Sequence, residues 1–92
     1  MKRAVITGLG IVSCLGNDKE SVAHSLKEGI SGIRRREDFA EMGLRCNVGA
    51  VLDIDPKDHI DRKILRFMGP SASYAYIATD RAIADAGLTP EM

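Results

Sequence analysis

Two cysteines, two histidines, a glycine-rich loop and a basic cluster are the features of this chain whose chemistry has to be decided. A catalytic thiolate needs a neighbouring base or a helix N-terminus to lower its pKa. Cys14 stands shortly before an expected helix, and Cys46 lies within an expected strand. His24 falls on a helix and His59 just ahead of one, and no spacing ties either to a thiol. The cysteines form no CxxC pair and no metal-binding spacing is present, so neither a metal nor a cofactor is expected. We read all four residues as structural or surface groups.

The loop "TGLGIVSCLG" follows a predicted strand and precedes a predicted helix, the place of a nucleotide-binding loop. The dinucleotide fingerprint requires GxGxxG. Gly8 and Gly10 fit it, but Ser13 occupies the third position, and no clear acidic residue ends the next strand to hold a ribose. The structural reading is a tight turn with close packing. The alternative, a nucleotide-binding α/β fragment, is disfavoured by Ser13.

The basic cluster lies in "HIDRKILRFMG". On a continuous helix, with Arg62 at 0°, Lys63 falls at about 100° and Arg66 at about 40°, whereas Ile60, Ile64, Leu65, Phe67 and Met68 fall between about 140° and 300°. Basic and apolar arcs therefore separate, with the apolar arc expected to pack into the core. On the residues alone, the ordinary reading is an amphipathic helix with a solvated face. The alternative is a dock for an acidic helix or a phosphate, because like charges at i,i+4 repel and no acid shares the arc. The run Arg34-Arg35-Arg36 adds little field, because Glu37 and Asp38 follow at once.

The elements that must position these groups are legible in outline. "RAVITGLG" (3–10) predicts a strand buried on both faces. Asn17 or Asp18 caps a helix through "DKESVAHSLKE", with Val22, Ala23 and Leu26 facing inward and Gly29 just past its end. Residues 31–43 read as loop with a helical turn at 37–42. "LRCNVGAVL" (44–52) reads as a weaker strand, with Gly49 marking a bulge or close backbone approach. Pro56 suits a first helical position, and a helix is expected over about 57–68. Pro70 and Gly87 bracket a helix whose apolar residues wrap most of its circumference, so burial on several sides is expected. "LTPEM" reads like a turn toward another strand. Two strands cannot cover that last helix, so the pattern is the opening of a larger α/β domain.

Totals narrow the classes further. The chain has 92 residues, 45% hydrophobic and 28% charged, which is a globular composition. At that size, roughly 60–65% of the unfolded surface should be buried. Thirteen basic and thirteen acidic side chains leave a formal net charge of zero. With no tryptophan and few aromatics, nothing points to nucleic acid. No apolar run approaches a membrane span. The N-terminal apolar run is interrupted by Thr7, Gly8 and Gly10, unlike a secretory signal, so a reduced cytoplasmic chain is expected.

Four blocks, "MKRAVITGLGIVSCLGN", "SLKEGISGI", "HIDRKILRFMG" and "AIADAGLTPE", together resemble the N-terminus of the β-ketoacyl-[acyl carrier protein] synthases, and of their type I branch in particular. The resemblance runs from residue 1 to 92 without gaps and is thinnest over 34–58. It implies a thiolase-like α-β-α-β-α fold, of which 1–92 is an incomplete N-terminal part, in a homodimer. It implies decarboxylating condensation of an acyl thioester with a malonyl thioester on the carrier protein. The family's nucleophilic cysteine and two histidines fall beyond position 92, and Cys14 and Cys46 match non-catalytic positions. No catalytic residue is therefore expected in this chain. What the resemblance places here is docking of the acidic acyl carrier protein, through Arg62, Lys63 and Arg66. A binding module that engages the carrier protein without catalysis is the alternative from a different class.

Overall fold

The computed structural model describes the whole chain, from Met1 to Met92. Its element order is α1 (Lys19–Glu28), β1 (Ile33–Arg35), α2 (Glu37–Glu41), β2 (Val48–Ala50), a 3-10 turn (Pro56–Asp58), α3 (Arg62–Leu65) and α4 (Pro70–Ala86). Contacts divide it into two units, Ser13–Asp53 and the combination of Met1–Val12 with Ile54–Met92.

In the Ser13–Asp53 unit, Asp18 caps α1 by accepting the Ser21 N–H at 2.7 Å, and Gly29 closes the helix in the left-handed region at φ 66°. An L side chain resists that φ, so glycine is the residue that ends this helix cheaply. The buried position of α1 is Ser25, whose hydroxyl donates to the Leu15 carbonyl at 2.9 Å. Val22 is half-buried as expected, but Ala23 and Leu26, also expected to face inward, are exposed, Leu26 by 67%, so the inward side of α1 runs through Val22 and Ser25. Strands β1 and β2 pair antiparallel, with Ile33 opposite Ala50, Arg34 opposite Gly49 and Arg35 opposite Val48. β1 falls in a stretch expected to be loop, and β2 is only the middle of the expected 44–52 strand. The helical turn at 37–42 is present as α2. Gly49 does allow a close approach: a Cβ there would sit 3.2 Å from the Phe39 ring.

The second unit is organised by α4. Gly69 and Pro70 open it, and the Ser73 N–H and hydroxyl both donate to the Gly69 carbonyl. Gly87 ends it at φ 71°. The N-terminal segment forms no strand ladder, contrary to expectation, and instead lies along α4. A Cβ on Gly8 would stand 2.5 Å from the Ala82 carbonyl oxygen, and one on Gly10 would overlap the Ala78 carbonyl more severely. The Leu9 N–H donates to Asp85 at 3.0 Å. The helix expected over 57–68 is broken into the 3-10 turn and α3.

The core is small. Ile60 and Ile77, 5% and 3% exposed, are its only fully buried hydrophobic residues. The chain exposes 7480 Å², against about 5,200 Å² for a compact monomer of this mass. Burial is thus roughly half of the unfolded surface, below the expected 60–65%. α4, expected to be enclosed on several sides, buries only Ser73 and Ile77. Its apolar residues have no layer of secondary structure to meet.

Candidate docking surface

The segment from Asp55 to Phe67 is shaped by two aspartates. Asp55 accepts the Lys57 N–H at 3.0 Å and starts the 3-10 turn, with Pro56 at its first position. Asp61 accepts the Lys63 N–H at 3.0 Å and starts α3. A short acidic side chain competes for backbone donors better as a cap than within a helix. The chain therefore stops at His59 and restarts at Asp61, where the hydrophobic spacing alone predicts one continuous helix. Asp61, a cap-type residue four positions before Leu65, was the signal for that restart.

Arg62, Lys63 and Arg66 are all exposed, and none of them makes an ion pair. The other basic run behaves oppositely. Arg34 pairs with Asp53 at 3.4 Å, Arg35 with Glu37 at 2.7 Å and Arg36 with Asp38 at 2.8 Å. Arg36 uses two nitrogens on Asp38 and stacks 4.6 Å from the Phe39 ring centre. This two-pronged bond holds the Asp38 carboxyl below its ordinary range and the Arg36 guanidinium above its own. Six cations thus sort into three that are satisfied internally and three that present open positive charge.

The expected division of this helix into basic and apolar arcs is only partly realised. Ile60 is buried, but it precedes α3 rather than belonging to it. Leu65 and Met68 are half-buried. Ile64 and Phe67, expected beneath the cations, are 44% and 79% exposed. The Arg66 guanidinium instead lies 4.8 Å from the Phe67 ring centre. Four residues make too short a helix for a full apolar face, and the break at residues 59–61 shifts every residue before it off the continuous wheel.

A recess of about 470 Å³ opens on this surface, lined by Lys57, Arg62, Leu65 and Arg66. Lys57 was not singled out by sequence reasoning. On the continuous wheel it falls at about 220°, inside the apolar arc.

The remaining candidates show no catalytic geometry. No hydrogen bond joins His24 to Cys14 or Cys46, and both histidines are exposed. Cys14 and Cys46 are free thiols, and the Cys46 Sγ lies 3.5 Å from the Val48 carbonyl. No group of three or more His, Cys, Asp or Glu side chains is assembled for a metal. Gly8 and Gly10 are taken up by packing on α4, and the N-terminus of α1 is filled by the Asp18 carboxylate, where a phosphate would be repelled. No helix is long and apolar enough to cross a membrane.

Helices together with a two-stranded antiparallel sheet make this an α/β chain. In line with this, residues 1–92 match the family described as β-ketoacyl synthase, N-terminal domain. The chain is 52% identical to 3-oxoacyl-[acyl-carrier-protein] synthase 1 of Haemophilus influenzae, over 99% of this chain and 22% of that protein. It is 50% identical to the synthase 1 of Escherichia coli strain K12, over the same shares. A solved β-ketoacyl synthase from Burkholderia phymatum superposes with a TM-score of 0.82 at 35% identity, covering 99% of this chain and 23% of that one. The chain belongs to the β-ketoacyl synthase family, and it spans about a fifth of the length of the relatives it matches.

Proposed function

We propose that the chain is the N-terminal part of a type 1 β-ketoacyl-[acyl carrier protein] synthase, with residues 1–92 an incomplete piece of that enzyme's N-terminal domain. The parent reaction is condensation of an acyl thioester with malonyl-[acyl carrier protein], with loss of carbon dioxide, in a cytoplasmic homodimer. The nucleophilic cysteine and the two histidines lie outside this stretch. The role of this stretch is to dock the acidic carrier protein through Arg62, Lys63 and Arg66.

The observation that carries the docking role is the contrast in pairing. The cations of β1 and its flank are matched to acids within the chain, whereas those of α3 are matched to none. Free exposed cations attract an acidic partner and orient its approach. The wide apolar exposure of the N-terminal segment and α4, at Val5, Ile6, Tyr76 and Ile83, supports the view that further layers of the domain cover those faces.

The test has two arms. The protein as its gene encodes it should release carbon dioxide from malonyl-[acyl carrier protein] in the presence of an acyl donor. The 92-residue chain made alone should release none above background. Enzyme-level turnover by the short chain would place the chemistry within it, against the proposal. Carrier-protein binding by the encoded protein without any condensation would favour the binding-module reading.

A further inference from the structure

The recess beside α3 brings in a cation from a different element. Lys57 sits in the 3-10 turn, and only its backbone N–H is engaged, by Asp55. Its side chain is exposed and unpaired, and it lines the same recess as Arg62 and Arg66, with Leu65 as the apolar contribution. Two structural facts produce this. Asp61 restarts the chain as α3, which removes Lys57 from the apolar side it would occupy on one continuous helix. The 3-10 turn then packs against α3 itself. Arg62 and Arg66 are four residues apart and Lys57 approaches from outside their helix, so the recess has positive charge on more than one side.

We propose that Lys57 is a specificity-determining residue for the acidic partner, and that the Lys57–Arg62–Leu65–Arg66 recess seats a carboxylate of the carrier protein's acidic helix beside an apolar neighbour. This rests on the docking role assigned to α3. Lys63, which does not line the recess, acts on the approach of the partner rather than on its seating. An acidic side chain entering the recess meets three cations, none of them ion-paired within the chain, and the aliphatic stems of those cations with Leu65 cover its apolar neighbour.

The experiment is titration of the full encoded protein with acyl carrier protein, followed by fluorescence anisotropy at about 50 mM and about 500 mM salt. Circular dichroism serves as the folding control. Lys57→Ala should weaken binding about three- to fivefold at low salt, the range of one exposed pair. Lys57→Glu should weaken it by about tenfold or more, and Lys57→Arg should bind like wild type. At high salt the differences should shrink toward unity. Lys27→Ala, an exposed lysine on α1, should change nothing. If Arg62→Glu and Arg66→Glu weaken binding but both Lys57→Ala and Lys57→Glu bind as wild type does, the inference is overturned and the docking role stands. If wild type itself fails to bind at low salt, or if none of these substitutions changes its affinity, both fall together.

Discussion

Reversing the charge of Arg62, Lys63 and Arg66 together, in the protein as encoded, should cost about a hundredfold in carrier-protein affinity and leave the fold intact. Each of the three is exposed and has no acidic partner in the chain, so no intramolecular ion pair is lost. Asp61 holds the backbone N–H of Lys63, not its side chain, so the cap of α3 survives. Glutamates at positions 62 and 63 suit the positive end of α3, whereas one at 66, its C-cap, meets the negative end at a cost of about 0.3–1 kcal/mol. The one contact surrendered is the Arg66 stack on Phe67, worth about 0.5–1 kcal/mol at an exposed site. Across the interface each exposed charge pair is worth about 0.2–1 kcal/mol. Reversal replaces attraction by repulsion, so three such changes amount to about 3 kcal/mol, or roughly a hundredfold in Kd. Calorimetric titration at low and high salt measures it, with circular dichroism reporting the fold. The loss should diminish at high salt, where screening also removes the wild-type advantage. A folded triple variant that binds as tightly as wild type at low salt would refute the reasoning and leave α3 with an ordinary solvated face.

Three further outcomes follow from the same structure. Gly10→Ala puts a methyl into the Ala78 carbonyl, so urea denaturation should show a loss of about 1–3 kcal/mol; a change within about 0.5 kcal/mol would mean the N-terminal segment does not pack on α4 as described. The Asp38 carboxyl, held down first by its bond from Arg36, should titrate below the ordinary value of about 3.9 by carbon-detected NMR, and Arg36→Ala should bring it back up. Its folded pKa is the lower one, so its contribution to stability is present above the unfolded pKa and is lost as pH falls through the folded pKa; a midpoint at or above the ordinary value contradicts the pairing. The 92-residue chain made alone should self-associate or melt without cooperativity, because Ile60 and Ile77 are its only fully buried hydrophobic residues; a sharp monomeric melt at low concentration in sedimentation and calorimetry would contradict this.

What the sequence shows about this chain divides along physical lines. Helix ends are legible because their determinants are local: Asp18, Gly29, Pro70 and Gly87 each act within a turn of their own position. The short β1–β2 pair is not, because Arg34 and Arg35 carry no alternation and their pairing depends on Gly49 and Val48, far along the chain. The 3–10 segment has strand composition, but a strand needs a neighbour to bond with, and here its glycines meet α4 instead. The cations were found by type and spacing. That they are unpaired, and that Lys57 joins them, depends on a break set by the competition of Asp61 for a backbone donor, which a helical wheel does not represent.

The most direct test of the central claim is a hydrogen-exchange footprint of acyl carrier protein on the encoded protein. The account predicts slowed exchange confined, within this stretch, to the 3-10 turn and α3, from Lys57 to Phe67, with no change at Arg34–Arg36, whose charges are already matched. Protection centred on β1, or no protection anywhere from Lys57 to Phe67 under conditions where the carrier protein is bound, would contradict it.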